Sequence, residues 1–342
     1  MQPGTRQSRS RAGAANDRLK TKLSALLGLR DADVATRVPG LRLALRDGNN
    51  YLVAKAAELA ADCGHDELIP ELLAVYDELF GDDAVERDQL VRGKEAIARA
   101  LRALGYRNPA PFVRGLHHVQ LEPAWGAPRG VEDHAGSLRC ACAHALVDTD
   151  LPAGAALREL IPHLTDPIAN VRLDTVRAVS QIGGDDAVLL LRLKTHAGDR
   201  EPEVIGECFA AILEREPHDA VAFILPFLQH DDDAIKVEAA ATLALARDPA
   251  ALSHLQAFLR EQLSSEVRTA TIIACAASPQ RAVTDLLLDI ITGPDRSLAQ
   301  SAMQSLSESR FRNEVCERAR MAAQRSGDRH VMAAFSSAFE RE

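Results

Sequence analysis

The feature that most constrains the fold of this chain is a periodic apolar residue near the start of successive predicted helices. From Leu138 onward, neighbouring members are separated by 33, 33, 31, 32 and 31 residues; these anchors are Leu138, Val171, Val204, Ile235, Val267 and Leu298. Two earlier anchors, Leu52 and Val91, continue the pattern at wider spacings of 39 and 47 residues. Doubly wound and barrel folds do not require such a period, whereas stacked helical pairs do. The sequence therefore predicts an array of helical units.

Residues 160–182 show one complete unit. Asp166-Pro167 predicts a turn and a new helix, because Asp is a favoured N-cap and Pro fits the first helical position. From Ile168 to Ile182 the apolar or small residues lie on one helical face, and Gly183-Gly184 ends the helix. Such a hairpin cannot bury its apolar faces alone, which implies similar neighbours on each side.

The helix that opens a unit carries a proline at a similar place in three units. Ile69-Pro70, Ile161-Pro162 and Leu225-Pro226 show it. We expect this proline either to bend the first helix of the pair or to lie in its first turn.

These elements resemble the HEAT repeat, and more closely the bacterial HEAT-like form also found in phycobilin lyase proteins. The resemblance covers about residues 34–340, or some nine hairpins, and is most complete at residues 160–183. It implies an all-α fold, an α-α superhelix or α-solenoid, with outer helices on the convex side and inner helices lining a concave groove. It implies no single activity.

The sequence predicts a short tail followed by one solenoid. Residues 1–15 are rich in Gly, Ser, Ala and Arg, and we expect a disordered basic tail there because they cannot bury enough apolar surface. We expect residues 16–342 to form a single repeat domain, interrupted by an irregular loop at residues 117–136. Several Pro and Gly residues exclude a continuous helix from that loop, and long loops often carry binding function.

Composition limits the classes of partner. The formal net charge is −9, and the first fifteen residues contain three arginines and no acid, so the remainder carries −12. An acidic body argues against general binding to a phosphate backbone. The six cysteines form no CxxC motif, which favours reduced, mostly buried thiols in a cytoplasmic protein. No apolar run reaches the roughly 18 residues of a membrane span.

The loop at residues 117–136 contains a candidate site around Trp125, the only tryptophan of the chain. We predict contacts with a partner from Trp125, His118, Glu122, Arg129 and His134. Two alternatives stay open: a structural loop held by Trp125, and a metal site near His118 and His134. Against a metal, the nearby Cys140, Cys142 and His144 lie two residues apart on a predicted helix and point in different directions. We therefore predict no metal and no cofactor.

A second candidate is the cation that follows the anchor in five units, a row formed by Arg92, Arg139, Arg172, Lys236 and Arg268. The resemblance implies a structural ladder in which Arg172 pairs with the turn residue Asp166. The alternative is a basic stripe that selects an acidic peptide or a phosphate chain, and for that role we nominate Arg92, Arg139, Lys236 and Arg268. Nearby acids such as Asp174, Glu207 and Glu238 give the groove mixed charge, which favours a protein over a nucleic acid.

Catalytic signatures are absent from the sequence. No histidine is followed by Glu, as the resemblance would require for the HEAT-like di-iron hydroxylase, and there is no GxxxxGK[ST], GxGxxG, HExxH or GxSxG motif. We therefore predict a non-catalytic scaffold that binds a protein or peptide along its concave face. The alternatives are a prosthetic-group handling enzyme of the bilin lyase type and a nucleic-acid-binding HEAT-like protein.

Overall fold

The chain is almost entirely helical. A computed structural model describes residues 5–124, 130–261 and 263–340. Over these residues it contains twenty α-helices: α1 Thr5–Gly28, α2 Val34–Leu45, α3 Asn50–Asp62, α4 Ile69–Glu78, α5 Ala84–Arg87, α6 Arg92–Ala103, α7 Ala110–Leu116, α8 Gly136–Val147, α9 Ala153–Leu160, α10 Ala169–Ile182, α11 Gly184–Ala197, α12 Pro202–Arg215, α13 Pro217–Ile224, α14 Asp233–Leu243, α15 Pro249–Arg260, α16 Ser265–Ala276, α17 Arg281–Thr292, α18 Arg296–Glu308, α19 Arg312–Ser326 and α20 Arg329–Phe339. A two-stranded antiparallel sheet, β1 Leu121–Pro123 and β2 Val131–Asp133, lies between α7 and α8.

The helices from α2 onward form nine pairs over the described residues, and the chain divides into two compact units. In the first unit, Met1–Ile182, the pairs are α2/α3, α4/α6, α7/α8 and α9/α10. In the second, Gly183–Glu342, they are α11/α12, α13/α14, α15/α16, α17/α18 and α19/α20. Within each unit the second helices of successive pairs pack directly on one another. This confirms the predicted α-α superhelix of about nine hairpins. That residues 16–342 form one uninterrupted domain stays a prediction.

The predicted anchors form the spine of the core. Seven of the eight are between 0 and 5% exposed, and Leu298 is half-buried. Alanines such as Ala56, Ala57 and Ala60 of α3 are fully buried beside them, so neighbouring inner helices approach closely. Complete burial of each aliphatic side chain contributes about 1.5–3 kcal/mol, which explains why a chain poor in aromatics can hold this fold.

The repeated prolines take both of the expected positions. Pro70 lies in the first turn of α4. Pro162 and Pro226 instead lie near the start of 3-10 segments, Ile161–Thr165 and Leu225–Gln229, that directly follow α9 and α13. Because proline has no N–H to donate, the α-helical hydrogen-bond pattern stops there and the outer helix tightens into a 3-10 turn.

Helix α1 begins at Thr5, so the structure differs from the disordered tail predicted over residues 1–15. Once the helix over residues 16–28 is formed, each residue added at its N-terminal end gains a hydrogen bond without a new nucleation step. Arg, Gln and Ala, which recur in this segment, are good helix formers. The prediction considered only burial.

Two insertions account for the wide anchor spacings in the first unit. The first holds α5 and the 3-10 turn Gln89–Val91, where Leu90 and Val91 adopt left-handed backbone with φ of 60° and 58°. Such values are rare for non-glycine residues and cost about 1–3 kcal/mol each. The second insertion is the β1–β2 hairpin, which corrects the predicted irregular loop, since Leu121, Glu122 and Pro123 pair with Asp133, Glu132 and Val131.

Candidate functional site

The exposed faces of α3, α6, α8 and α10 in the first unit carry a groove. A cavity of about 330 Å³ lies between α3 and α6, and one of about 550 Å³ lies along α6, α8 and α10. Arg99 lines both cavities, so they adjoin. We call this surface the inner groove; its polar lining residues are Lys55, Glu58, Arg92, Glu95, Arg99, Arg102, His144, Asp148 and Asp174.

Acids of the same groove neutralise most of its cations. Lys55 Nζ lies 2.5 Å from Glu58 Oε2, and Arg99 Nη2 lies 2.8 Å from Glu95 Oε1. Further along, Arg102 Nε lies 2.6 Å from Asp148 Oδ2, and His144 Nε2 lies 3.4 Å from Asp174 Oδ1. The hydrogen bond from His144 is the main cause of the lowered pKa of Asp174. Exposed ion pairs of this kind contribute about 0–1 kcal/mol, so a partner can replace them at little cost.

Arg92 differs from the other cations of the inner groove. It is exposed at the first position of α6 and, within the described residues, forms no ion pair. The predicted row therefore contributes one available guanidinium to this surface. Sequence reasoning missed Lys55, Arg99 and Arg102. Arg92, Glu95, Arg99 and Arg102 follow one another at three- or four-residue steps, so this helical spacing was the signal that could have found the last two.

Arg139, predicted to contact a partner, is 2% exposed. Its Nη1 donates to Asp133 Oδ2 at 2.7 Å and to the His118 carbonyl at 2.9 Å, and its Nη2 donates to Asp166 Oδ1 at 3.1 Å. The acceptors come from two neighbouring pairs: His118 and Asp133 lie between α7 and α8, and Asp166 lies in the turn between α9 and α10. The prediction of a surface role for Arg139 is thereby corrected: it joins two neighbouring repeats from inside.

The ladder around Asp166 runs between repeats. The Asp166 carboxylate binds Arg139, 27 residues earlier, while Arg172 Nη1 donates to the main-chain carbonyls of Asp166 and Pro167 at 2.9 and 3.3 Å. Burial raises the pKa of Asp166, but hydrogen bonds from His163, the Ile168 amide and Arg139 outweigh it, so the pKa lies below its ordinary value. Arg172 therefore contacts Asp166 through its main-chain carbonyl, whereas the Asp166 carboxylate contacts Arg139. That Asp166 and Arg172 belong to a ladder repeated along the array stays a prediction.

The other two members of the predicted row, Lys236 and Arg268, lie in the second unit, and each has an acidic partner within that unit. Lys236 Nζ lies 2.7 Å from Asp233 Oδ1. Arg268 Nη1 lies 3.8 Å from Asp295 Oδ2, again 27 residues later, and its Nη2 donates to the Glu261 carbonyl at 3.2 Å. The five members of the row share a sequence position but have different environments. They therefore do not form a uniform basic stripe.

Beneath the hairpin lies a buried polar cluster built on Asp88 and Lys94, both 0% exposed. Lys94 Nζ lies 3.2 Å from Asp88 Oδ2 and donates to Gln120 Oε1 at 2.8 Å. Asp88 also accepts the main-chain amides of Gly93 and Lys94 at 2.7 and 3.0 Å, which caps the start of α6. Burial lowers the pKa of Lys94, an effect that the charge of Asp88 opposes.

Glu122, predicted to contact a partner, belongs to the same cluster and is 6% exposed. Its Oε1 accepts the Leu90 amide at 2.7 Å and Gln120 Nε2 at 2.7 Å. The carboxylate therefore holds Leu90 in its left-handed conformation. This corrects the predicted role of Glu122, which is a brace for the strained segment.

The other predicted loop residues are placed as follows. His118 is half-buried, with Nε2 at 3.2 Å from Gln120 Oε1 and its ring edge-on to Phe80 at 4.8 Å; burial lowers its pKa. His134 is half-buried, and its Nε2 has no hydrogen-bond partner within the described part of the chain. Trp125 and Arg129 lie outside the described residues. In the described ranges no three His, Cys, Asp or Glu side chains are arranged to hold a metal ion.

Comparison with known proteins identifies the repeat. Residues 189–276 and 221–307 match the family model for HEAT repeats. No curated protein matches the sequence significantly. None of the described helices has the length and apolarity needed to cross a membrane.

Three solved structures are similar to this chain. The complex of CpcE and CpcF of phycocyanin lyase from Nostoc sp. PCC7120 is 16% identical, covers 78% of this chain and 92% of its own, and has a TM-score of 0.34. An engineered protein is 16% identical over 87% of this chain and 86% of its own, with a TM-score of 0.31. Human deoxyhypusine hydroxylase in complex with glycerol is 17% identical over 84% and 89%, with a TM-score of 0.27.

Proposed function

Because this chain carries HEAT repeats, we propose that it is a non-catalytic scaffold that binds a segment of a partner protein in the inner groove of its first unit. The observation that carries the proposal is the pair of adjoining cavities, about 330 and 550 Å³, that meet at Arg99. Together they offer a continuous recess along four stacked helices, which suits an extended or helical peptide better than a single small molecule.

The charges of the inner groove favour a protein segment of mixed sign. A partner carboxylate can bind the exposed Arg92 guanidinium without displacing an acid of this chain. Other partner side chains can exchange with the weak pairs Arg99–Glu95 and Arg102–Asp148. A segment with acidic residues near α6 and both signs further along matches this pattern.

The same charges disfavour nucleic acid. Binding to a phosphate backbone gains most of its free energy from cations that release counterions. Here Lys55, Arg99 and Arg102 already face Glu58, Glu95 and Asp148, so phosphates would meet a nearly neutral surface. The net charge of −9 adds repulsion at longer range.

Site-specific photo-crosslinking in the native cell tests the proposal. A photo-reactive residue at Ala103, which lines the larger cavity, is expected to capture a defined segment of one partner, whereas the same group at the exposed Arg158 on the outer helix α9 is not. Combining Arg92→Glu with Arg99→Glu should lower the capture at Ala103 roughly tenfold, equivalent to about 1.4 kcal/mol. Arg158→Glu is the matched control and should change nothing. Equal capture at Ala103 in the otherwise unsubstituted protein, in the double variant and in Arg158→Glu contradicts the groove as the binding site.

Two further measurements separate the alternatives. An absorption spectrum and elemental analysis of the protein purified from its native cell are expected to show neither chromophore nor stoichiometric metal; either one would favour a prosthetic-group enzyme. Titration with duplex DNA and single-stranded RNA at low salt is expected to show no binding. Affinity that falls steeply with salt would favour the nucleic-acid alternative.

A further inference from the structure

The outer helices α11 and α13 of the second unit expose large apolar side chains. Leu189 and Leu193 of α11 are 63% and 65% exposed. Beside them a groove of about 520 Å³ is lined by the half-buried Phe223 and Phe227, with Pro226 between them in sequence. We call this surface the outer patch; it consists of Leu189, Leu193, His196, Phe223, Pro226 and Phe227.

These residues form one surface. Leu189, Leu193 and His196 follow one another at four- and three-residue steps and so share one face of α11. The His196 ring lies 5.4 Å from the ring of Phe223 and 5.7 Å from that of Phe227. The leucine face of α11 therefore continues into the phenylalanine groove. Contiguous exposed apolar surface of this kind marks interaction sites on soluble proteins.

Acidic side chains surround the outer patch. Asp185 and Asp186 stand four and three residues before Leu189, and Asp219 stands four residues before Phe223. Asp231 lines the far end of the groove. All four are exposed and form no ion pair within residues 5–124, 130–261 and 263–340. Arg192, which comes directly before Leu193 in sequence, is neutralised by Glu216: its Nη2 lies 2.7 Å from Glu216 Oε2.

This charge distribution selects among possible occupants. A second copy of the chain would bring its own aspartates against these, and like charges disfavour such pairing. An anionic membrane surface is repelled in the same way. A partner segment with lysine or arginine at the edges of an apolar face gains from both the apolar groove and the acidic rim.

We propose that the outer patch docks an amphipathic, basic helix of a partner protein. Its aliphatic side chains enter the groove between His196 and Phe227, and its lysine or arginine side chains face Asp185, Asp186, Asp219 and Asp231. The outer patch shares no residue with the inner groove, so the scaffold would hold two segments, one on each kind of surface.

A designed peptide tests the proposal with the full chain. The probe is a fluorescein-labelled helical peptide of about 18 residues, roughly 27 Å long, with leucine on one face and lysine on the other. Its twin carries glutamate in place of every lysine. We expect the lysine peptide to bind, and the glutamate peptide to bind roughly tenfold or more weakly. Fluorescence anisotropy measures both, and equal affinities would overturn the proposal.

Variants locate the binding to the outer patch. Leu189→Ser with Leu193→Ser is expected to weaken binding of the lysine peptide roughly tenfold, and because both side chains are exposed the fold is unaffected. Met321→Ser is the matched control, since Met321 is 53% exposed on another outer helix of the same unit, α19. An equal loss in the two variants, or none in the leucine variant, overturns the proposal.

The other occupants are tested directly. Sedimentation is expected to show no self-association that depends on Leu193, and vesicles containing phosphatidylserine are expected not to bind the chain. A dimer abolished by Leu193→Ser would assign the patch to a second copy and overturn the partner helix. Vesicle binding abolished by the same variant would overturn it in favour of a membrane.

Discussion

Replacing Arg139 by methionine is expected to lower the free energy of unfolding of the first unit by about 3–5 kcal/mol. Methionine keeps most of the aliphatic volume but removes a guanidinium that is 2% exposed. Two carboxylates then lose their cation: Asp133, whose side chain is 16% exposed, and Asp166, at 7%. The His118 carbonyl also loses its donor at 2.9 Å. Uncompensated buried charge, rather than lost packing, sets the magnitude.

The repeat supplies matched controls at the same sequence position. Arg92→Met should change the free energy of unfolding by less than about 0.5 kcal/mol, because Arg92 is exposed and forms no ion pair within the described residues. Arg268→Met should cost no more than about 1 kcal/mol, because its carboxylate partner Asp295 lies at 3.8 Å and its side chain is 27% exposed. The three variants therefore separate burial of the ion pair from its position in the repeat.

Urea unfolding followed by circular dichroism, with hydrogen exchange of the α8 peptides to assign the transition to the first unit, provides the measurement. Adding Asp166→Asn to Arg139→Met is expected to recover part of the loss, since it removes one uncompensated carboxylate. If Arg139→Met costs no more than Arg268→Met, the buried ladder does not stabilise the unit and the reasoning fails.

Three other outcomes are expected. With iodoacetamide at about pH 8, Cys63 and Cys316 should react in the folded protein. The four buried cysteines should react only after unfolding, because burial raises their pKa to about 12. Mass spectrometry of the labelled peptides checks this. The folded-state pKa of Asp166 is lowered, so its stabilising contribution is present above the unfolded pKa of about 4 and is lost as the pH falls toward the folded value. The urea concentration at the unfolding midpoint should therefore decrease as the pH is lowered from about 5 to about 3, and this decrease should be smaller in Asp166→Asn. Parallel curves of midpoint against pH for the unsubstituted protein and Asp166→Asn would contradict this. In Gly115→Ala the new methyl would overlap the Tyr76 hydroxyl and the Cys142 sulfur, which should cost about 1–3 kcal/mol. Gly154→Ala should be neutral or slightly stabilising in the same urea assay, because its new methyl would meet only the flexible end of the Arg158 side chain, at 3.8 Å.

Local pattern was enough to predict the helical pairs. The anchors alternate with turn residues at a regular period from Leu138 onward, and some helices begin or end where their own residues favour a boundary, as at Asp166-Pro167 and Gly183. The two possible positions of the repeated proline also followed from its chemistry. These features depend on residues within a few positions of one another, which is the range that sequence patterns describe well.

The environments of the charged residues could not be predicted in the same way. Arg92 and Arg139 hold the same position after an anchor, yet one is exposed and the other is buried. The difference arises because Asp133 and Asp166, supplied by the hairpin and by the next repeat, converge on Arg139 alone. Helical periodicity places a side chain on a face but does not state what the neighbouring repeat brings against it.

The strained segment gives no sequence signal either. Leu90 and Val91 are residues that avoid positive φ, so no local rule predicts their left-handed backbone. The conformation depends on Glu122, which is 32 residues further along the chain and accepts the Leu90 amide. The loop was predicted to be a site because of its unusual composition. Of its described residues, Gln120 and Glu122 bind Lys94 and Leu90 at the start of α6. A partner site on the loop stays a prediction.

The dependence of α6 on the hairpin has a consequence for synthesis on the ribosome. A repeat array can normally add one helical pair at a time as the chain emerges, because each pair needs only its predecessor. Here Lys94 and Leu90 take their partners from Gln120 and Glu122, which are translated later. The second helical pair should therefore stay incompletely formed until the hairpin has left the exit tunnel, so that the first unit matures in one late step. Stalled nascent chains ending before and after the hairpin has emerged should differ sharply in the protease resistance of α6.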